Sequence, residues 1–177
     1  MRLGATALAL PIPEADALVG RWRIQHDRSA REGVPAHVTV LYPFLSPEEI
    51  DEDVLENLAE FAASIPPLDL QLTRTEVLGD ILTLALEPHD ALDALRASIL
   101  ERWPAIIPYN GKYGPRPRLH LTVAWGAWAR PDGAEDFAAI EAAISPRLPL
   151  DVRVSAMWLM ERREVLWAPR VVFGLGG

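Results

Sequence analysis

The feature that most restricts how this chain can fold is a phrase written twice. His37-Val38-Thr39-Val40 lies inside AHVTVLYPF, and His120-Leu121-Thr122-Val123 lies inside LHLTVAWGA. Each copy alternates polar with β-branched or apolar residues, which is the signature of a strand with one face buried. Residues two apart on a strand share a face about 6.5 to 7 Å apart, and the residue between them points the other way. Each His therefore shares a surface with its Thr. Val38, Val40, Leu121 and Val123 turn into a core and lock the register, because a one-residue slip would bury the His and expose the Val. The copies stand 83 positions apart (120 minus 37) in 177 residues, so each half of the chain receives one.

The segments around the two copies repeat in kind. A strand is expected from Leu3 to Leu10, a helix from Glu14 to His26 with Leu18, Val19 and Trp22 inward, and a strand from Ala36 to Tyr42 that stops at Pro43. In SPEEIDEDVLENLAEFAASI, Ser46 reads as an N-cap, Pro47 as the first helical residue and the acidic residues as a first turn complementing the helix dipole. LDLQLTRTEVL and DILTLALEP read as strands joined near Gly79-Asp80. A second pass follows: a helix from Asp90 to Trp103, a loop at YNGKYGPRPR, a strand from Leu119 to Trp125 and a helix from Ala134 to Ile144. Leu150 to Met160 and Val165 to Phe173 close the chain as a hairpin.

This order predicts an α+β fold made by duplication, with antiparallel sheets flanked by helices and two similar lobes about an approximate two-fold axis. Residues 1–177 form one such unit with a central groove. If the axis brings the two phrases together, two imidazoles and two hydroxyls meet in that groove.

Composition narrows the chemistry. The absence of cysteine removes disulfides, thiolate nucleophiles and Cys-based metal sites together. Two His without an HExxH-like spacing are too few for a metal centre, so neither metal nor cofactor is expected. GLGG and YNGKYG do not join a strand to a helix as a phosphate-binding loop would. The net charge of −8 argues against extended duplex nucleic acid as a partner, since that affinity is built from many basic contacts. No stretch approaches the roughly 20 apolar residues needed to span a bilayer, so no membrane partner and a cytoplasmic location are expected. No protein partner is evident.

A pair of imidazoles suits displacement at phosphorus, in which one group takes a proton and another gives one. Histidine does either near neutral pH. The two Thr hydroxyls can donate to the non-bridging phosphate oxygens, where charge gathers in the transition state. Arg118, two residues before His120, is the preferred accessory. Lys112, Tyr113 and Arg116 are further loop candidates, and Trp125, Trp158 and Trp167 are candidates for stacking on a base. Tyr42 falls off the His face by alternation unless a bulge intervenes.

Two HxTx motifs, one in each half of a small bilobal α+β protein, resemble the two-histidine phosphoesterase superfamily, which includes 2'-5' RNA ligase-like proteins and cyclic nucleotide phosphodiesterases. The likeness rests on HVTVLYPF, HLTVA and the late run VSAMWLMERREVLW, and spans nearly the whole chain. It implies that His37 and His120 are catalytic, that Thr39 and Thr122 bind phosphate, and that no metal is used. It also implies 2',3'-cyclic phosphates, 2'-5' phosphodiester linkages or related nucleotides as substrates. Family members often carry a basic residue shortly after the second motif, where this chain has Trp125, so a nucleotide or an RNA end is expected rather than long RNA. Which His begins as base stays open, as does the direction, hydrolysis or ligation. Two other readings share the groove: a non-catalytic nucleotide- or phosphate-binding module, and a phosphodiesterase for a non-RNA cyclic phosphate such as an ADP-ribose derivative.

Overall fold

Strands and helices alternate as the hydrophobic periods require. In the computed structural model, which describes residues 4–126 and 134–176, the order is β1 (Thr6–Pro11), α1 (Asp16–His26), α2 (Arg28–Arg31), β2 (His37–Leu41), α3 (Glu52–Ser64), β3 (Leu68–Leu78), β4 (Ile81–Glu87), α4 (His89–Arg102), β5 (Leu121–Trp125), α5 (Ala134–Ile144), β6 (Leu150–Val154), β7 (Ala156–Arg163) and β8 (Leu166–Gly174). The expected strand start at Leu3 lies outside the described residues.

All eight strands join one sheet in the order β6-β3-β4-β5-β2-β1-β7-β8, with every neighbouring pair antiparallel. The α+β expectation holds. The two motif strands, β2 and β5, are neighbours at the centre, with Val38 opposite Leu121. Outward from them the halves correspond: β1 beside β2 and β4 beside β5, then β7 and β3, then β8 and β6. One face carries the main core, in which Leu8, Leu10, Val38, Leu84, Leu121 and Val123 are fully buried. Helix α1 packs on β5 and α4 on β2, so each half's helix covers the other half's motif strand.

Both motif strands shift register by one residue at the same place. Ala9 pairs with Thr39 but Leu8 with Leu41, and Thr83 pairs with Thr122 but Leu82 with Ala124. The extra residue is Val40 in one strand and Val123 in the other. An extra residue reverses the alternation beyond it. Tyr42 consequently comes onto the His face, where it joins Ala7, Ala9, Val34, Met160 and Trp167 in a second small apolar cluster.

Two expected elements differ. The helix starts at Glu52, not at Pro47: the Ser46 hydroxyl and backbone N–H both donate to Glu49, which closes a separate turn, and buried Ile50 pins the chain before it re-enters as a helix. The cap is Asp51, whose carboxylate accepts the Val54 N–H at 3.0 Å. The run from Leu150 to Met160 is two strands that part at Ser155; β6 pairs with β3 at one edge, while β7 crosses to pair with β1 and β8. The buried side switches from Val152 and Val154 to Met157 and Leu159 across Ser155, a break that the unbroken apolar run from Ala156 to Met160 hides in the sequence.

Asp51→Ala is expected to cost about 1 kcal/mol in urea denaturation through loss of the cap. Ser46→Ala is expected to cost clearly less. Equal costs would return the helix start to Ser46.

Candidate active site

The site is built from the centre of the sheet outward. Carrying the Val38–Leu121 register one step either way sets His37 across from Thr122 and Thr39 across from His120. Directly opposed side chains lie about 4.5 to 5.5 Å apart at Cβ and diagonal ones about 7 to 8 Å. The four motif residues thus form a lozenge with the imidazoles on one diagonal and the hydroxyls on the other. All four are half-buried, whereas Val38, Leu121 and Val123 beneath them are fully buried. The expected alternation is therefore present in both copies.

Each ring is fixed by its own backbone in the same way. His37 Nδ1 lies 2.8 Å from the Pro35 carbonyl oxygen, and His120 Nδ1 lies 2.8 Å from the Arg118 carbonyl oxygen. A carbonyl can only accept, so Nδ1 carries the proton and Nε2 is the nitrogen offered to the open face. In the neutral ring that Nε2 is a base. In the charged ring it is an acid.

Among known proteins, a family model described as the 2'-5' RNA ligase superfamily matches residues 11–166, which takes in both motifs and much of the sheet on either side of them. This chain belongs to the 2'-5' RNA ligase superfamily. A Geobacillus kaustophilus (strain HTA426) protein, GK0864, named provisionally as a phosphoesterase, is 30% identical over 97 residues, a stretch spanning 51% of this chain and 51% of that relative. Solved structures share the fold of this superfamily member across nearly its full length. Escherichia coli LigT complexed with 3'-AMP superposes with a TM-score of 0.62 at 15% identity, covering 99% of this chain and 100% of that one. The Thermus thermophilus protein TT0787 gives 0.59 at 19% identity, covering 98% of each.

The surroundings of the two imidazoles in this superfamily member are unequal. Burial holds the His37 pKa down to about 4, helped by the positive charge of Arg23; the Pro35 carbonyl and the Asp27 carboxylate pull the other way. Burial also lowers the His120 pKa, with the Arg118 carbonyl and Glu76 opposing. The rows across the sheet differ as well. Thr122 is followed outward by Thr83 and then Glu76, while Thr39 is followed by Ala9 and then Trp158. One side of the site ends in Glu76, ion-paired with Arg74 and Arg118, and the other in an apolar ring.

The remaining candidates divide. Arg118 comes next to the site, but its guanidinium pairs with Glu76 at 3.2 Å, and its backbone carbonyl serves His120. Lys112 lies 4.9 Å from the Tyr113 ring centre, on a loop whose outer ring is half exposed. Trp167 is buried in the second cluster and offers no free face, whereas Trp125 and Trp158 are partly open. Trp125 holds the place after the β5 register shift that Tyr42 holds after the β2 shift.

Tyr109 carried no signal of its own in the sequence. It sits in a left-handed turn (φ 52°), its N–H donates to the Tyr42 carbonyl at 2.5 Å, and its hydroxyl shares a hydrogen bond with Thr39. Burial pushes the Tyr109 phenol up to about 12, so it stays a neutral donor. Its ring stands 5.9 Å from that of Tyr42 and 5.2 Å from that of Tyr113, forming an aromatic wall.

The His37 shift has a consequence for stability. Between pH 6.5 and about 4 the unfolded chain takes up a proton at this position that the folded ring refuses, so stability falls as the pH drops across that window. The urea midpoint of the protein should therefore decline more steeply between pH 6.5 and 4.5 than that of His37→Gln. Parallel declines would show that burial does not depress this imidazole.

Proposed function

We propose that the protein is a metal-independent phosphoesterase that opens 2',3'-cyclic phosphates or 2'-5' phosphodiester linkages at nucleotides or RNA ends, with His37 and His120 as its acid–base pair. The observation that carries this reading is the diagonal pair of imidazoles on one face of the sheet, each with Nδ1 bound to a backbone carbonyl, which leaves Nε2 for proton transfer. A phosphate placed between them touches one proton acceptor and one proton donor. Thr39 and Thr122 lie on the other diagonal, where their hydroxyls can donate to the non-bridging oxygens. The superfamily, a relative named provisionally as a phosphoesterase, and LigT structures complexed with 3'-AMP, NADP+, ATP and phosphate support the class of chemistry and of ligand.

The unequal surroundings support one order of roles in the hydrolytic direction. His37, with the more strongly depressed pKa, is neutral and accepts the proton of the attacking water at Nε2 as its oxygen bonds to phosphorus. His120, beside Glu76, holds its proton longer and delivers it from Nε2 to the ribose oxygen as the P–O bond breaks. One water is consumed and the pair ends in the opposite protonation states, which exchange with solvent resets. Reversing each step gives ligation. Arg118 acts as an accessory that can leave Glu76 for a phosphate oxygen.

A hollow of about 200 Å³ beside His37 gives the organic part of the substrate a place. Pro11, which pairs with His37 across the strands, Pro35 and Trp158 line it, with Glu14, Arg153 and Ser155 as its polar groups. Flat apolar walls of this kind suit a nucleobase. A larger hollow of about 850 Å³ is lined by Asp69, Glu87 and Asp151 and shares Glu14 and Arg153 with the smaller one; its greater number of carboxylates suits a phosphate less well. We take the two halves of the sheet to act as one unit, because neither supplies both imidazoles.

A panel of 2',3'-cyclic nucleotides and 2'-5' dinucleotides, followed for product, tests the reading. Turnover should persist in excess EDTA. His37→Ala and His120→Ala should each lose about 10²- to 10⁴-fold in kcat, and Thr39→Ala and Thr122→Ala about tenfold. Binding without product from any of the panel would leave only capture of nucleotides.

The pH dependence gives a separate test. kcat/KM requires His37 neutral and His120 charged, so it should rise through an acid limb near pH 4 and fall through an alkaline limb below the ordinary histidine value of 6.5. A profile flat from pH 4 to 8 would refute the paired roles.

A further inference from the structure

Two arginines on helices carry their charge into the interior, where an unpaired guanidinium would be costly. Arg23 on α1 is 1% exposed and Arg96 on α4 is 5% exposed. Neither belongs to a motif, and neither reaches the open face of the site. Their contacts correspond. Arg23 Nη1 donates to the carbonyl of Val34 at 3.2 Å, and Arg96 Nη1 donates to the carbonyl of Pro117. Val34 stands three residues before His37 (37 minus 34) and Pro117 three residues before His120 (120 minus 117). Each guanidinium has a carboxylate partner on or at the end of its own helix: Asp27 at 2.9 Å from Arg23 Nη2, and Asp93 at 2.7 Å from Arg96 Nη2.

We infer that Arg23 and Arg96 are a duplicated pair of positioning residues, each holding the backbone carbonyl three residues upstream of its histidine so that the next carbonyl is fixed as the Nδ1 acceptor and Nε2 is aimed at the substrate.

The peptide geometry explains why this works. The Val34 carbonyl belongs to the peptide unit before Pro35, and the Pro35 carbonyl, which accepts His37 Nδ1, belongs to the next. Arg23 clamps the first unit. Asp16, also on α1, clamps the second by accepting the Ala36 N–H at 2.9 Å. With both planes held from one helix, the acceptor of His37 has little freedom to turn. In the second half Arg96 clamps the Pro117 unit, and the carbonyl that follows is that of Arg118, which accepts His120 Nδ1. Only an arginine fork serves a backbone carbonyl and a carboxylate at once from a buried helix position. The same offset recurring in both halves, on helices that occupy corresponding places in the sheet order, marks a device and not an accident of packing.

The two clamps differ in electrostatic effect. The charged groups facing His37 are Arg23 and Asp27 from α1 and its end, with Asp16 on the neighbouring peptide, and His120 from across the sheet; Glu14 and Arg153 line the adjoining hollow. His120 faces Arg118, Glu76 of β3 and His89 of α4, and Arg96 is not among the groups that shift it. Arg23 therefore both orients its imidazole and keeps it uncharged, while Arg96 orients only.

This inference rests on the acid–base roles proposed above, and its test is read by nuclear magnetic resonance so that the two can fail separately. Imidazole ¹⁵N–¹H spectra of the full chain report tautomer and titration for each ring. The native protein should show the Nδ1–H tautomer at both positions. Arg23→Met should mix the tautomers at His37 alone and raise the pH at which it titrates, leaving His120 unchanged. Arg96→Met should mix them at His120 alone. Arg23→Lys keeps the charge and loses the fork, and covers the case in which the Met variant does not fold: its His37 should lose the tautomer preference yet still titrate near pH 4. kcat should fall about 10- to 100-fold in each variant, in keeping with a misaimed group, with KM changed little. Folded variants that keep the native tautomer at the adjacent ring would overturn the inference, even if activity fell. The predicted spectra without any turnover in the native protein would uphold the clamps and refute the phosphoesterase reading.

Discussion

The antiparallel pairing of β2 with β5 is the contact on which the rest of this structure depends. Val38 opposite Leu121 is a short splice between two halves, with both side chains fully buried. Its register alone decides that His37 meets Thr122 and Thr39 meets His120. Moved by one residue, the same strands would bury four polar side chains and turn four apolar ones to water, so the hydrophobic core enforces the geometry of the site. The helices strengthen the splice by packing on the opposite half's motif strand.

Symmetry in the backbone coexists with asymmetry in the side chains. The register shifts at Val40 and Val123, the carbonyls that accept each Nδ1, and the buried arginines at the same offset all recur. Two strands out from the motif, however, Trp158 stands where Glu76 stands in the other half. The acid–base roles proposed for the two imidazoles need that difference, since identical imidazoles in identical surroundings would compete for the same protonation state. The duplicated frame supplies equal placement, and the unlike flanks give the two imidazoles unequal surroundings.

Legibility in the sequence followed the range of the interaction. The strand faces shared by His37 with Thr39 and by His120 with Thr122 were readable because a strand's two-residue period is local, and the repeat tied the halves together. The hairpin at Gly79-Asp80 and the helices α1, α4 and α5 were readable for the same reason. The start of α3 was misread because Ser46-Pro47 and Asp51 both carry cap chemistry, and only the burial of Ile50 chooses between them. Tyr109 and the placement of Tyr42 were out of reach, one depending on a loop folding back over β2 and the other on a register shift. Nothing local marks Arg23 and Arg96, whose burial is decided by how α1 and α4 pack on the sheet.

What the sequence determined by itself is the sharing of strand faces by His37 with Thr39 and by His120 with Thr122, and the α+β class, since each follows from alternation and composition along short stretches. What only the tertiary structure decided is which strands adjoin, which ring is the more deeply depressed in pKa, and which buried charges stand behind the histidines. Those depend on residues tens of positions apart coming within a few ångströms. Desolvation and hydrogen bonding act across that gap, and no periodicity along the chain encodes them.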